Sequence, residues 1–255
     1  MSELRVRLDP LNPGQFFACC GLMELMELEH PGALARFELD RTRPRVAAFA
    51  IDCARADDLA SILVRLKGAR PVFLEDEVDD FKICPVEIGY NGRKLTLDWW
   101  LDRFRIKANG NLKCWGGNVS TEKLFTELLR LQDMDGTGED LFERSRIAKD
   151  KFGVDPRSAW DALDVGFSPD RHGGAAVFPA VEILAAIGLQ GFRPDTQDRA
   201  NVGYSLWLEP LPAAIGRVAF RSAWSGLPRR SYVFRIQPRG QGYKNFTFAS
   251  EKEND

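Results

Sequence analysis

The chain has 255 residues, 44% of them hydrophobic and 28% charged, with a formal net charge of −2. It is long enough to bury a substantial core in one large or two small domains, and the composition is that of an ordinary globular protein. No apolar run approaches the ~20 residues of a membrane span, the N-terminus MSELRVRLDP lacks a hydrophobic signal region, and the expected location is cytoplasmic. Five cysteines without a C-x-x-C spacing and two histidines point to neither a disulfide framework nor a zinc site.

Leu4 to Leu8 alternates apolar and basic residues and is predicted to be a half-buried strand. Asn12-Pro13-Gly14-Gln15 then opens a helix, with Asn as N-cap, Pro at the first helical position and Gln three residues after the cap. Phe16, Phe17, Cys20, Met23, Leu25, Met26 and Leu28 give that helix more apolar surface than one face needs, and Cys19 and Cys20 fit packing rather than redox roles. Arg36 to Asp40 and Arg45 to Asp52 read as strands, Asp57 to Leu66 as a second helix and Val72 to Leu74 as a further strand. The order is βαββαβ, that of a ferredoxin-like (RAMP/RRM-like) unit. No RNP-type aromatic signature marks its strands.

Glu75 to Asp80 is a solvated acidic loop. Cys84 to Tyr90 and Arg93 to Asp98 flank Asn91-Gly92, a strong short hairpin signal. Alternation along the second strand would put one of Trp99 and Trp100 in the core and the other at a surface.

The stretch Asp98 to Gln132 combines Arg103, Arg105 and Lys107 with Trp99, Trp100 and Phe104. It continues through Lys113, Trp115 and Gly116-Gly117 into a helix with a Leu124, Phe125, Leu128, Leu129, Leu131 stripe. Asn118 or Ser120 is a candidate N-cap. Cations among stacking faces are what single-stranded nucleic acid uses, and a helix start behind a glycine turn favours an anion. The competing reading is that these tryptophans are core and the cations ordinary surface.

Asp133-Met134-Asp135-Gly136-Thr137 matches the D-x-D-G-T string of haloacid-dehalogenase-type phosphatases, but a helix end precedes it, not the buried strand a nucleophilic Asp needs. Glu139 to Lys151 is predicted to be helical, and a loop-rich stretch follows to Gly174. His172 has only Asp170 as a neighbouring acid. Pro179 opens a helix, PAVEILAAIGLQG, that is apolar nearly all round. From Val202 onward YSLWLEPL, GRVAFRSAW, SYVFRIQP and YKNFTFAS read as strands of an antiparallel sheet with one cationic face. Between Pro210 and Ser250 there are seven cations and no acid, leaving about −9 on the rest of the chain. The fold class expected is α+β, in three regions: a ferredoxin-like unit plus hairpin (1–97), a helical and loop region (98–175), and a helix with a basic-faced sheet (176–255).

Three stretches resemble a known family: NPGQFFACCGLMEL, LKCWGGNVS, and DPRSAWDALDVGFSPD with FPAVEILAAIGLQGFRP. They look like the third protein of the Csb series in type I-U (I-G) CRISPR systems. The family's middle motif runs Lys-Thr-Trp-Ala-Gly, then Asn or Gln, then Gln-Ser. Lys113, Trp115, Gly117, Asn118 and Ser120 match it; Cys114, Gly116 and Val119 depart. The resemblance implies antiviral defence, CRISPR RNA or target DNA as partner, and neighbouring effector subunits of a Cascade-like complex; it implies no established catalytic residue, and a non-catalytic protein without a cofactor is expected. The expected nucleic-acid-binding residues are Arg103, Arg105, Lys107, Lys113, Trp115, Gly116, Gly117, Asn118, Ser120, Arg229, Arg230, Arg235 and Arg239. The alternatives are a CRISPR-linked nuclease or phosphohydrolase using Asp133, Asp135 or His172, and a structural adaptor whose cations meet acidic subunits.

Overall fold

The computed structural model describes residues 2–53, 59–78, 80–102, 104, 107–108, 111–131, 142–158, 174–221, 226–240 and 242–252. The sequence signals at Asn12 and Pro13 start helix α1 (Pro13–Glu29) as expected: the Asn12 side chain accepts from the Gln15 backbone N–H at 3.2 Å. The reciprocal arm differs, because Gln15 Oε1 accepts from Asp9 N at 2.6 Å rather than from the cap residue. Residues 13–26 of α1 are all buried, so the excess of apolar residues is used on every side.

On one side of α1 lies a sheet of β1 (Ser2–Leu8), β2 (Leu34–Leu39), β3 (Ala47–Cys53) and, later in the chain, β10 (Leu211–Pro212) in the order β1-β3-β2-β10. Helix α2 (Leu59–Gly68) and strand β4 (Pro71–Phe73) follow, so the chain order is βαββαβ. The four strands do not form one sheet. β4 instead pairs antiparallel with β5 (Val86–Tyr90), which forms the expected hairpin with β6 (Arg93–Leu97). Asn91 and Gly92 at the hairpin tip have φ of 48° and 74°, and two left-handed residues in a two-residue turn are what the twist of the flanking strands selects.

Helix α3 (Thr121–Leu131) buries Leu124, Phe125, Leu128 and Leu129 as its stripe predicts. The stretch expected to be helical over 139–151 contains a strand instead, β7 (Arg146–Ala148), paired with β8 (Ala175–Val177). Its apolar residues Leu141, Phe142, Ile147 and Ala148 include no pair at i, i+3 or i, i+4.

The second buried helix is α4 (Pro179–Gly191), and it crosses α1 at glycines. A Cβ on Gly21 would lie 2.0 Å from Leu184 O, and one on Gly188 would lie 2.0 Å from Phe17 O. Only glycines permit that approach.

C-terminal to α4, β9 (Val202–Trp207), β11 (Arg229–Phe234) and β14 (Ser250–Glu251) form a three-stranded sheet, while β12 (Ile236–Gly240) and β13 (Tyr243–Phe246) form a separate hairpin. GRVAF, expected as a strand, lies mostly in helix α5 (Ala213–Ala219). α5 packs Gly216 near the Trp207 ring and the Met23 sulfur.

Aromatic side chains join these layers. Phe16 stacks on Tyr204 (centroids 4.5 Å apart) and Phe37 (5.5 Å), and Phe17 meets Phe234 and Phe246. Both polar handles are used: Tyr204 Oη donates to Pro10 O and Trp207 Nε1 donates to Ala35 O. One apolar cluster runs from Leu4 to Ala249. Among the described residues no helix is long and apolar enough to cross a membrane.

Candidate nucleic-acid interface

The hairpin delivers Trp99 and Trp100 not along a strand but in a turn beyond it, so strand alternation does not govern them, and both are fully buried. They meet Trp115 edge-on, with centroids 5.9 and 5.8 Å away. Phe152 closes the group at 5.5 Å from Trp115. Trp115 is 2% exposed. The expectation that it stacks a base is thereby corrected: its faces are occupied by protein rings. Trp100 Nε1 donates to Ile83 O, whereas Trp99 Nε1 and Trp115 Nε1 are buried without a hydrogen-bond partner among the described residues.

The cations around that core behave differently. Lys113 is half-buried, and its ammonium donates to Trp115 O at 2.7 Å while lying 4.9 Å from the Trp115 ring centroid. Lys244, on β13, reaches the same place from 131 residues away: its backbone N–H donates to Cys114 O at 2.8 Å, and its ammonium donates to Lys113 O at 2.9 Å. Burial first and the Lys244 charge second pull the Lys113 pKa down to about 8, and Lys244 is also lowered, first by burial. No described carboxylate lies within ion-pair distance of the Lys113 ammonium. Each ammonium is thus held by a backbone carbonyl, and the Asp80 charge acts on Lys113 against the effect of burial.

Lys149, Asp150 and Lys151 line a crevice with Trp115, Val119, Tyr243 and Lys244 that has room for about one water, ≈ 10 Å³. Asp150 is paired to Lys123 on the first turn of α3. Ser120 caps that helix, accepting from Lys123 N at 3.2 Å. Asn118 is exposed and does not serve as the cap.

The two glycines have separate explanations. A Cβ on Gly116 would come within 2.6 Å of the Tyr243 ring, so this glycine admits a tyrosine rather than a ligand; Gly117 is exposed, and a Cβ there would meet nothing within 4 Å among the described residues. Lys107 is exposed in the preceding loop, and its carbonyl accepts from Asp102 N. Arg103 and Arg105 lie outside the described residues, as do Asp133, Asp135 and His172.

Comparison with protein-family models, with characterised proteins and with solved structures finds no match to this chain.

The C-terminal arginines do not form one cationic face. Arg229 and Arg230 are neighbours on β11 and so point to opposite sides, and Arg230 is paired with Glu251 at 2.8 Å. Arg235 sits exposed at the break between β11 and β12, its backbone N–H donating to Thr247 Oγ1. Arg239 lies on β12, and its side chain is outside the described set. Arg217, on α5, is bound to Glu24. The absence of acids between 210 and 250 is met by acids from elsewhere, including Glu24.

Sequence reasoning missed a second polar centre beneath the interface. Glu182, fully buried on the first turn of α4, accepts from Gly153 N (3.0 Å) and Asp155 N (3.3 Å). Asp155, also fully buried, accepts from Asn12 Nδ2 at 3.0 Å and from the Arg157 guanidinium. Arg157 in turn reaches Glu143 and Phe142 O and lies 3.5 Å from the Phe178 ring centroid. Burial, then the Asp155 charge, pushes Glu182 up to about 7. This network fixes the 151–158 loop, and with it the Lys151 and Phe152 edge of the crevice. Only its Asn12 and Asp155-Pro156-Arg157 components stood out in sequence, as a cap and as part of a family-like stretch. Among the described residues no three His, Cys, Asp or Glu side chains group so as to hold a metal. Cys19, Cys20, Cys84 and Cys114 are buried thiols whose pKa burial raises.

Proposed function

We propose that this protein is a non-catalytic nucleic-acid-binding subunit of a crRNA-guided surveillance complex in antiviral defence, of the type I-U kind. In this reading the Lys113–Lys244 ridge holds the phosphates of a single strand. The observation that carries it is the pair of half-buried lysines anchored on main-chain carbonyls beside the start of α3, with no described carboxylate within ion-pair distance of Lys113. Keeping such charges close together is costly unless something anionic completes the site. Lys149 and Lys151 line the same crevice, together with Asp150, which is paired to Lys123. The resemblance of NPGQFFACCGLMEL, LKCWGGNVS and FPAVEILAAIGLQGFRP to the Csb-series family supplies the biological setting. β1, β3 and β2 with α1 and α2 are compatible with a ferredoxin-like unit whose fourth strand has joined the neighbouring hairpin.

With Trp115 enclosed, the protein contributes backbone contacts rather than base stacking here, and base pairing between guide and target supplies sequence specificity. The CRISPR RNA or target DNA is then held by charge, with other effector subunits completing the channel. The test is fluorescence anisotropy of labelled single-stranded RNA and DNA with the isolated chain, in parallel with a Mg²⁺ and Mn²⁺ nuclease assay on the same strands. Binding that weakens when both Lys113 and Lys244 are replaced by Ala, without strand cleavage, supports this function. Cleavage supports the nuclease reading, and no binding to either strand supports an adaptor.

A further inference from the structure

The outer face of the β1-β3-β2 sheet carries charge in cross-strand rows. Arg5, Ala50 and Arg36 lie side by side, and next to them Arg7, Ala48 and Glu38. In the first row the charges satisfy one another: Arg5 pairs with Glu3 and Glu38, and Arg36 pairs with Glu3, Glu38 and Asp52. The second row ends differently. A pocket of about 370 Å³ opens there, its lining including Arg5, Arg7, Glu38, Asp40, Arg43 and Ala48. Its size is in the range of small-ligand sites, ~300–1,000 Å³.

Two of its three guanidiniums are oriented by carboxylates. Arg43 is held by Asp40, whose carboxylate is itself fixed by the Thr42 hydroxyl at 2.6 Å and by the backbone N–H groups of Thr42 and Arg43. Arg5 is held by Glu38. Arg7 is exposed and makes no hydrogen bond or ion pair to a described residue. Among the described residues the pocket thus offers Arg7 as a cation without a partner, beside Ala48 and flanking carboxylate acceptors.

We propose that it binds a nucleotide unit. The phosphate meets Arg7, the flat base or sugar lies over Ala48, and an amino or hydroxyl group donates to Glu38. A bare phosphate would leave most of the volume unfilled and would face Glu38 and Asp40 with like charge. A phosphorylated nucleoside puts its negative end at Arg7 and its hydrogen-bond donors at the acids. The same chemistry is presented by a free mononucleotide and by one residue of a strand.

The test uses the full chain and isothermal titration with 5′-AMP, 5′-CMP, a tetranucleotide and inorganic phosphate, on the wild type, on Arg7→Ala and Lys113→Ala, and on the two combined. Arg7 lies on an edge strand with its side chain in solvent, and unchanged melting of Arg7→Ala verifies that the fold is intact. The expected result is that a mononucleotide or the tetranucleotide loses roughly tenfold in affinity with Arg7→Ala, and that inorganic phosphate binds more weakly than either. Arg7→Ala should cost the same factor in affinity whether or not Lys113 is also replaced by Ala, which separates this pocket from the lysine ridge. Arg7-dependent binding of the tetranucleotide alone assigns the source to a strand, and Arg7-dependent mononucleotide binding assigns it to a free nucleotide. Binding of every probe unaffected by Arg7→Ala, binding of none, or phosphate binding as tightly as the nucleotides would overturn the proposal.

Discussion

Replacing Trp115 by Ala separates a folded core from a stacking site. Trp115 is enclosed by Trp99, Trp100 and Phe152, all with ring centroids within 6 Å. Truncating a buried aromatic costs ~3–5 kcal/mol, and edge-to-face partners of this kind add ~0.5–1.5 kcal/mol beyond area alone. Against that, the indole N–H has no partner among the described residues, so its removal recovers part of the cost of burying an unmet donor, ~1–3 kcal/mol. The net expectation is about 3–4 kcal/mol. For a chain of this length that lowers Tm by roughly 6–16 °C, at about 2–4 °C per kcal/mol. Thermal unfolding followed by near-ultraviolet circular dichroism reads it directly. Trp115→Phe, which keeps a ring and drops the N–H, should cost under ~2 kcal/mol. A Tm within about 2 °C of wild type for Trp115→Ala, together with lost binding of single strands, would refute this reasoning and restore the ring to a ligand site.

Two further substitutions probe the scaffold. Gly188→Ala places a methyl group against Phe17 O at the crossing of α1 and α4, so it should destabilise by ~3 kcal/mol or more by forcing two buried helices apart; a urea midpoint equal to wild type would contradict it. Glu182 binds its proton more tightly in the folded state than its ordinary 4.5, at about 7. Its contribution to stability is therefore complete below about pH 4.5 and is lost as pH rises through 7, a swing of about 3 kcal/mol. Glu182→Gln has no such titration, so urea unfolding of both proteins at pH 5 and pH 8 should show the wild type losing ground to the variant at the higher pH. An unchanged gap would mean that the Gly153 and Asp155 backbone N–H groups and Lys151 hold the carboxylate charged throughout.

Local signals foretold the elements they control. Asn12 and Pro13 started α1, Asn91-Gly92 closed the β5-β6 hairpin, and the leucine stripe of α3 and the apolar run of α4 were buried as their patterns require. What escaped was set by distant pairing. β4 belongs with β5 because the hairpin offers it an edge, and no feature of Val72 to Leu74 announces that choice. GRVAF alternates like a strand, yet Gly216 sits against Trp207 and Met23 from a helix. Strand alternation predicts opposite faces for Trp99 and Trp100, but the strand ends at Leu97. The interface shows the same division. Lys113 and Ser120 were visible, but Lys244 joins them only through the β13 backbone bond to Cys114, and Gly116 is explained only by Tyr243. The run of arginines was legible as charge and not as a surface, because alternation on β11 and partners such as Glu251 and Glu24 divide it.

The most direct test of the lysine ridge is the pH dependence of strand binding. Lys113 is held at about 8, below its ordinary 10.5, so in the free protein it is about nine-tenths charged at pH 7 and about one-tenth charged at pH 9. Anisotropy with a labelled single strand at constant ionic strength should show affinity falling between pH 7 and pH 9 for the wild type. Lys113→Arg, whose guanidinium stays charged, should bind without that fall. Lys113→Ala should bind more weakly at pH 7, with its log–log salt slope reduced by ~0.7 for the phosphate no longer neutralised. Wild type and both variants binding alike at pH 7 and pH 9, with the same salt slope, would contradict the claim that this ridge holds nucleic acid.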